Sequence, residues 1–253
     1  MRPLPEQIQT AVITGGARGL GADIVRSLHR AGFRVVIADI DPGDQAQALA
    51  SELDLAGETA ITATLDVSKP GDFQEILDKC VERWGSVQVL VNNAARTAVQ
   101  PLLEIDPADF NAVLATNAGG TFAGSQIFGR HFKARGYGRI VNLASLAGQN
   151  GGTATGAHYA ASKGAILTLT KIFARDLAPF GVTCNAIAPG PMDTPMVRAV
   201  ITPDRMQAAL AGIPVGELGD PAFVADLVTL LAEPQAGFVT GACWDVNGGI
   251  YMR

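Results

Sequence analysis

The sequence has few of the features that mark disulfide-bonded, metal-binding or nucleic-acid-binding proteins. Its three cysteines, Cys80, Cys184 and Cys243, are far apart and form no CxxC pair, so the sequence predicts neither a disulfide framework nor a zinc site. Charged residues make up only 17% of the chain and the net charge is -5. Because Lys and Arg are scattered, no basic surface for nucleic acid or an anionic membrane is expected.

Long apolar runs, linkers and repeats are also absent from the sequence. Hydrophobic residues make up 48%, yet no run is long enough to span a bilayer, and residues 1–10 lack the charged, apolar and small-residue order of a signal peptide. No Pro/Ser-rich linker or low-complexity segment divides the 253 residues. We therefore expect a cytoplasmic protein with a single domain over residues 1–253, large enough to bury a substantial core.

Short apolar runs alternate with amphipathic stretches along the chain, and several runs are too apolar to face water, as is typical of buried parallel strands. The predicted strands are 11–14, 34–38, 60–65, 87–91, 139–143, 182–187 and 243–246. The predicted helices are 19–31, 43–56, 70–84, 107–133 (broken in two), 158–178 and 221–232. This alternation indicates βαβ units. The predicted fold class is α/β, a doubly wound parallel sheet of Rossmann type.

The first predicted strand runs into a glycine-rich turn that contains Gly15, Gly19 and Gly21, and a helix follows at once. Glycines at such a turn let the backbone approach a pyrophosphate, which rests on the free amides of the helix N-terminus. Asp39 ends the second strand, where a carboxylate can accept both hydroxyls of an adenosine ribose. The alternative is that Asp39 only begins the turn 39–42. The pattern predicts a dinucleotide site.

Tyr159 and Lys163 are four residues apart in a predicted helix and therefore lie on one face. A neighbouring ammonium favours the ionised phenol, so we expect Lys163 to lower the pKa of Tyr159 toward the range of acid-base catalysis. Ser145, fourteen residues earlier, can hydrogen-bond the substrate oxygen that exchanges the proton. This spacing also arises by chance on many helices, so its weight depends on the dinucleotide site that precedes it.

Five motifs in this order resemble those of the short-chain dehydrogenase/reductase family, over nearly the whole chain. They are Thr14-Gly-x-x-x-Gly19-x-Gly21, Asn92-Asn93-Ala94-Ala95, Ser145, Tyr159-x-x-x-Lys163 and Pro189-Gly190. The resemblance implies that hydride moves between C4 of a nicotinamide and a carbinol carbon. It implies that Tyr159 is the acid/base and that Ser145 positions the carbonyl or hydroxyl. It also implies that Lys163 binds the nicotinamide ribose and that Asn117 holds a water of the proton relay.

The resemblance further implies which residues line the cofactor. They are Gly15, Arg18, Gly19, Leu20, Gly21, Asp39, Ile40, Asp66, Val67, Asn93, Ala94, Ala95, Tyr159, Lys163, Pro189, Gly190, Met192 and Thr194. Arg18 is similar to the basic residue of NADP-dependent relatives, whereas Asp39 is typical of NAD users. We predict NAD, because a carboxylate repels the 2′-phosphate of NADP. Ala95 departs from the family, which usually has glycine there; a negative φ would accommodate its methyl group.

Three further residues are predicted to contact the substrate: Arg96, Gln149 and Met196. Arg96 follows the cofactor-lining segment and can hold a carboxylate or phosphate, although a solvated loop arginine is the alternative. Gln149 belongs to the loop 146–158, which lines the substrate site in the family and is one residue longer here than in many relatives. Met196 belongs to a predicted lid over about 191–215, for which an ordinary packing helix is the alternative.

His158 precedes Tyr159 directly, but adjacent helical residues point about 100° apart. We therefore expect His158 to face solvent or the pocket wall rather than to act as a general base. No metal ligand is predicted.

The predicted function is an NAD-dependent oxidoreductase that interconverts a secondary alcohol and a ketone, or a primary alcohol and an aldehyde. Relatives that reduce 3-oxoacyl thioesters look similar, and Arg130 and Arg175 match basic residues with which that group meets an acyl carrier. Subunit contact is the other explanation for these two arginines. A polyol, sugar or cyclic alcohol dehydrogenase fits as well. A non-catalytic dinucleotide-binding sensor or structural subunit is the alternative of another class.

The helix that begins near Tyr159 carries small residues, which permit close contact between helices. They are Ala160, Ala161, Ser162, Gly164 and Ala165. Long helices of the resembling family pair across two-fold axes. We expect a homotetramer, with a dimer as the next alternative.

Overall fold

Seven parallel strands form one sheet in the computed structural model, which describes residues 8–97, 99–152, 155–194 and 203–253. The strands are β1 Thr10–Thr14, β2 Arg34–Asp39, β3 Ala60–Thr64, β4 Val89–Asn92, β5 Gly138–Leu143, β6 Val182–Pro189 and β7 Cys243–Val246. Their order is β3-β2-β1-β4-β5-β6-β7, and every neighbouring pair is parallel. The predicted doubly wound α/β fold is confirmed.

Nine α-helices lie in the part of the chain that the structure describes. They are α1 Gly19–Arg30, α2 Gly43–Leu53, α3 Pro70–Trp84, α4 Pro107–Leu114, α5 Gly120–Arg135, α6 Ala147–Asn150, α7 Ala157–Leu177, α8 Pro203–Ala211 and α9 Pro221–Ala232. A π-helical turn, Ala115–Gly119, joins α4 to α5 and is the break predicted within 107–133. None of these helices is both long and apolar enough to cross a membrane.

Both faces of the sheet are covered, because neighbouring residues of a strand point to opposite sides. Ile13 of β1 packs in a core cluster with α1, α2 and α9, whereas Val12 packs in a second cluster with α3, α5 and α7. Both residues are fully buried. This explains why the strands have continuous apolar sequences rather than alternating ones.

The strand order reverses between β1 and β4, which are neighbours in the sheet. Helices that leave to opposite sides open a crevice at such a switch point, beyond the carboxyl ends of the strands. The glycine-rich turn follows β1, and the segment that starts at Asn93 follows β4. Ser145 lies just beyond β5. The topology therefore brings the predicted motifs to one edge of the sheet.

Candidate active site

The glycine-rich turn between β1 and α1 has a backbone that only glycine adopts without strain. Gly15 and Gly19 have φ values of +63° and +53°. A Cβ atom at Gly15 would lie 2.9 Å from the Cα of Ala94, and one at Gly21 would overlap the carbonyl oxygen of Gly15. Because these positions carry no side chain, a phosphate has room to approach the backbone amides that begin α1. Leu20 turns inward and packs against the core cluster that contains α1.

Thr14 and Asn93 fasten this turn to the end of β4. The Thr14 hydroxyl oxygen accepts the backbone N–H groups of Asn93 and Ala94, each at 3.0 Å. The Asn93 side chain donates to the carbonyl oxygens of Thr14 and Gly15, both at 3.0 Å. Asn93 therefore shapes the turn, a role that the sequence analysis missed. Ala95, the next residue but one, is exposed, and no non-glycine residue in the described ranges has a positive φ, so its methyl group is accommodated.

Asp39 lies at the end of β2 and contacts the glycine-rich turn. Its carboxylate oxygen Oδ2 accepts the backbone N–H of Ala17 at 3.2 Å. Arg18, the residue before α1, is exposed beside it, and Ile40 is 66% exposed. Both residues that bear on the choice between NAD and NADP thus lie at the same turn.

Asp66 and Val67 follow β3 at the same edge of the sheet. The Asp66 carboxylate accepts the N–H and hydroxyl of Ser68, and these hydrogen bonds hold the pKa of Asp66 below its usual range. Val67 is buried against α5, where a Cβ atom at Gly120 would lie 2.8 Å from that of Val67. The two residues form a fixed turn next to the crevice.

Ser145, Tyr159 and Lys163 come together where β5 ends and α7 begins. Lys163 is fully enclosed, and its ammonium donates to the carbonyl oxygen of Leu143 at 2.6 Å. The Lys163 nitrogen lies 5.6 Å from the centre of the half-buried Tyr159 ring. The Ser145 hydroxyl oxygen accepts the backbone N–H of Ala147 at 3.1 Å.

The acid-base properties of this pair differ from the sequence-based expectation. Burial raises the pKa of Tyr159 above its ordinary value, and a hydrogen bond with Ser145 offsets this only in part. Burial also lowers the pKa of Lys163 to about 8. The net shift of the Tyr159 pKa is therefore opposite to the expected one: the ammonium of Lys163 still favours the phenolate, but burial of the phenol outweighs it. The physical reason is that the ammonium turns toward Leu143 while desolvation acts on the phenol.

Asn117 lies in the π-helical turn between α4 and α5, and it is buried. Its side chain accepts the N–H of Arg96 at 2.7 Å and donates to the carbonyl oxygen of Arg96 at 2.9 Å. It also donates to the Ser162 hydroxyl at 2.9 Å. Single π-helical turns often occur at functional sites. Here the turn aims Asn117 at the segment after β4 and at α7 together.

The backbone of Arg96 is held by the Asn117 side chain, whereas the side chain of Arg96 is exposed. The guanidinium lies 3.8 Å from the carboxylate of Asp109 on α4. This contact matches the alternative of a solvated loop arginine, although the side chain remains within the loop that borders the crevice.

The segment after β6 closes the other side of the crevice. The Pro189 carbonyl oxygen accepts the N–H of Leu146 at 2.9 Å, which ties this segment to the residue after Ser145. A Cβ atom at Gly190 would lie 2.9 Å from the Cα of Asn247, so the two backbones are close. Met192 forms an isolated parallel β-bridge with Gly219. The described part of this segment ends at Thr194. Met196 and much of the predicted lid lie outside the described residues.

His158 and Gln149 both have hydrogen-bond partners within the fold. His158 is fully buried, and its Nδ1 accepts the N–H of Tyr159 at 2.9 Å, so of the two positions expected for it, solvent is wrong and the pocket wall remains. Gln149, on α6, donates its amide to the Asp245 carboxylate at 2.5 Å. Its amide nitrogen is therefore engaged by β7, and its contact with a substrate stays a prediction.

The comparisons with known proteins agree with this geometry. A family profile described as Enoyl-(Acyl carrier protein) reductase matches residues 15–251. This chain belongs to the short-chain dehydrogenase/reductase family. It is therefore an oxidoreductase of a family that binds a nicotinamide dinucleotide.

Three members of the short-chain dehydrogenase/reductase family illustrate the similarity. The chain is 35% identical to the 3-oxoacyl-[acyl-carrier-protein] reductase FabG of Vibrio cholerae, over 96% of this chain and 98% of that protein. It is 36% identical to an acetoacetyl-CoA reductase of Shinella zoogloeoides, over 96% and 99%. A crystal structure from Agrobacterium tumefaciens, provisionally described as a gluconate dehydrogenase, superimposes with a TM-score of 0.89, 33% identity and coverage of 96% and 98%.

The residues of this short-chain dehydrogenase/reductase fit a bound dinucleotide. The glycine-rich turn forms a cradle that a side chain at Gly21 would fill, and the Asp39 carboxylate lies at its end. No group of three or more His, Cys, Asp or Glu side chains suited to a metal ion occurs within the described ranges.

A buried polar chain supports the site from beneath, and the sequence analysis missed it. Asn92 donates to the Ser125 hydroxyl at 3.1 Å and to the Asn142 side chain at 2.8 Å. Asn142 in turn donates to the Thr170 hydroxyl at 2.9 Å. All four side chains are buried, and together they join β4 and β5 to α5 and α7. The sequence could have indicated this chain, because Asn92 and Asn142 are polar residues within otherwise apolar strands.

Proposed function

We propose that this protein is an NAD-dependent oxidoreductase that interconverts a secondary alcohol and a ketone, with Tyr159 as the acid/base. The observation that carries the proposal is the meeting of Tyr159, Ser145 and Lys163 at the edge of the sheet where the glycine-rich turn also lies. A dinucleotide seated on that turn supplies or accepts the hydride. A phenol beside the reacting oxygen exchanges the proton that accompanies it.

Each side chain has a separate task in the proposed reaction. Ser145 donates a hydrogen bond to the substrate oxygen and holds it within reach of Tyr159. Tyr159 protonates that oxygen during reduction or removes its proton during oxidation. Lys163 supplies the positive charge that stabilises the phenolate left after Tyr159 has given up its proton. Asn117 holds the segment 96–97 and α7 in register, and it remains our candidate for binding a water of the proton relay.

The protonation state of Tyr159 fits the role of an acid. Burial raises its pKa, so the phenol is protonated at neutral pH and can donate its proton to a substrate carbonyl oxygen. In the reverse direction the phenolate is the base, and it is the form that Lys163 stabilises.

A pH dependence follows from Lys163. Its pKa is about 8, so the ammonium is present below that pH and is lost above it. We expect kcat/KM for ketone reduction to be nearly constant from about pH 6 to 7.5 and to fall above about pH 8, because the neutral amine no longer stabilises the phenolate. Initial rates across this range test it. A rate that rises steadily from pH 7 to 9 would contradict the assignment.

Reduction of 3-oxoacyl thioesters is the narrower candidate. It is supported by the length of the match to the reductases of Vibrio cholerae and Shinella zoogloeoides. The segment between β4 and α4 also exposes apolar side chains beside the crevice, at Val99, Leu102 and Leu103, which suits a substrate with a hydrocarbon chain. Arg130 and Arg175 are exposed on α5 and α7, and Arg175 pairs with Asp176 at 2.8 Å. A carrier or another subunit would fit these arginines equally.

A substrate panel monitored by NADH absorbance tests the proposal. The panel contains acetoacetyl-CoA, simple ketones and aldehydes, and polyols and sugar acids, the last because of the Agrobacterium tumefaciens neighbour. Turnover of acetoacetyl-CoA well above that of free ketones would establish the narrower candidate. Turnover of polyols or sugar acids alone would replace it. Absence of turnover on every class, with dinucleotide still bound, would favour a non-catalytic sensor or structural subunit.

The predicted lid and single domain remain part of this proposal. The segment after α8 contacts the turn after β7, where Val215 donates its N–H to the Gly248 carbonyl oxygen at 3.2 Å. We place the C-terminal end of the proposed lid, about 191–215, at this contact, and we propose a single domain over 1–253. A cytoplasmic location also stays a prediction.

Assembly into a homotetramer is supported by two separate exposed apolar faces. One lies on α5 and α7, where Phe122 and Ile172 are 44% and 41% exposed. The other lies on α9, where Phe223 and Leu230 are 56% and 50% exposed. If each face pairs with the same face of another copy, the two contacts together generate a tetramer with two-fold axes.

We expect light scattering at micromolar concentration to give about four times the chain mass of 26.2 kDa. Ile172→Glu places a charge on one face only and should leave a dimer. Glu75→Ala, on the exposed side of α3, serves as the control and should remain tetrameric. A wild-type mass near 26.2 kDa would contradict the prediction.

A further inference from the structure

Helix α6 is a single turn, and it carries the residues that directly follow Ser145. The Ser145 oxygens accept the N–H groups of Ala147 and Gly148, at 3.1 and 3.0 Å. A helix of four residues is not stable alone, because its few hydrogen bonds do not offset the ordering of its backbone. Contacts with the rest of the fold must therefore set its position, and with it the position of Ser145.

One such contact is the packing of α6 against the catalytic helix. A Cβ atom at Gly148 would lie 2.5 Å from the backbone carbon of Lys163 and 2.7 Å from the nitrogen of Gly164. The two backbones are therefore in direct contact. The hydrogen bond from the Leu146 N–H to the Pro189 carbonyl oxygen anchors the start of the turn as well.

A further contact is Gln149, which reaches from α6 to the edge strand β7. Its amide nitrogen donates to Asp245 Oδ1 at 2.5 Å. Partial burial opposes ionisation of Asp245, but hydrogen bonds from Arg253 and Gln149 outweigh it and lower its pKa. An ionised carboxylate only accepts hydrogen bonds, so the NH₂ group of the Gln149 amide, and not its oxygen, faces Asp245.

Arg253 in turn holds Asp245. Its guanidinium donates to both carboxylate oxygens, at 2.8 and 3.3 Å, and to the carbonyl oxygen of Cys243 at 2.6 Å. The chain returns to β7 through a turn that the Asn247 side chain closes by accepting the N–H groups of Gly249 and Tyr251. The planar fork of arginine suits this two-point contact.

We propose that Arg253, through Asp245 and Gln149, is a positioning residue that holds α6 and thereby sets the placement of Ser145 against the substrate carbonyl. The inference deepens the proposed function and rests on it. Arg253 does not touch the reacting atoms. Its effect is transmitted along one line of hydrogen bonds that ends at the side chain of Gln149, a residue of α6.

The test compares Arg253→Ala, Arg253→Lys and the matched control Arg26→Ala in the full chain. Arg26 makes a similar two-point contact, to Glu52 at 2.9 Å, and is about as exposed as Arg253, but it lies on α1 away from α6. We expect Arg253→Ala to lower kcat/KM for the carbonyl substrate about 5- to 20-fold, since misplacement of a positioning group costs up to ~10²-fold. The KM for the dinucleotide should stay unchanged. Arg253→Lys keeps the charge but not the fork and should recover part of the loss.

A double-mutant cycle shows whether Arg253 acts through Gln149. If it does, Gln149→Leu combined with Arg253→Ala should be no worse than Gln149→Leu alone. Additive losses would overturn the inference, and so would an Arg253→Ala enzyme whose kinetics match those of Arg26→Ala. A lower melting temperature of Arg253→Ala with unchanged KM and kcat would likewise contradict the inference, because Arg253 would then have only a structural role. If the wild type itself reduced no carbonyl compound, the proposed function would fail first and this inference with it.

Discussion

Replacement of Tyr159 by Phe is expected to lower kcat for carbonyl reduction by about 10² or more, because general acid-base catalysis typically contributes ~10² to 10⁴. The substitution removes only a hydroxyl group from a half-buried ring. The ring packing and the burial of Lys163 are retained, so NADH should bind as before. Steady-state kinetics together with NADH fluorescence separate these two effects.

Tyr137→Phe is the matched control for this variant. Tyr137 is also partly buried, and its hydroxyl donates to the Gln9 side chain at 2.9 Å, but it lies before β5, at the opposite edge of the sheet from Ser145. Its loss should leave kcat within about two-fold of the wild type, since a substitution away from the site is usually near neutral. Near-normal turnover by purified Tyr159→Phe would mean that another group transfers the proton.

The second large effect is the choice of dinucleotide, which we expect to favour NAD by roughly 10- to 1000-fold in kcat/KM, or about 1.4 to 4 kcal/mol. The Asp39 carboxylate is held at the glycine-rich turn by the N–H of Ala17. With NADP it would face a phosphate of nearly two negative charges, and a unit pair near a protein surface at ~4 Å is worth ~4 kcal/mol. Arg18 offsets part of this repulsion, but it is exposed and screened by salt.

Asp39→Ala should narrow the preference chiefly by improving kcat/KM with NADP. Asp41→Ala removes an exposed carboxylate two residues away and should leave the preference unchanged. Arg18→Ala should weaken the use of NADP more than that of NAD. A wild-type kcat/KM with NADP equal to or higher than that with NAD would contradict this prediction and would assign the specificity to Arg18.

Much of the architecture was predictable because its signals are local. The alternation of apolar runs and amphipathic stretches predicted all seven strands. The long helix over 107–133 was expected to be broken in two, and the structure shows that the break is the π-helical turn Ala115–Gly119. The five central strands, β1, β2, β4, β5 and β6, are largely buried, so their apolar sequences alone indicated them, whereas the edge strands β3 and β7 are mostly half-buried. The glycine-rich turn was predictable for the same reason, since its backbone demands particular residues.

The details of the site were less predictable because they depend on residues distant in sequence. Helical spacing correctly brought Tyr159 and Lys163 to one region, but it did not reveal that the ammonium turns to the Leu143 carbonyl. The angle between neighbouring helical residues left both solvent and the pocket wall open for the His158 side chain, and only its burial in the folded chain excludes solvent. Surrounding segments cover that face of α7, which no local pattern records.

The sequence by itself determined the order of strands and helices, the glycine-rich turn and the chemical groups available at the carboxyl ends of the strands, because each depends on neighbours within a few residues. The tertiary structure alone decided how deeply those groups are buried and which partners they meet. It raised the pKa of Tyr159 by burial, enclosed Asn117 between two segments and joined Gln149 to Asp245 across the fold. Desolvation and long-range hydrogen bonds depend on everything packed around a group, so they follow from the folded chain and not from its local order.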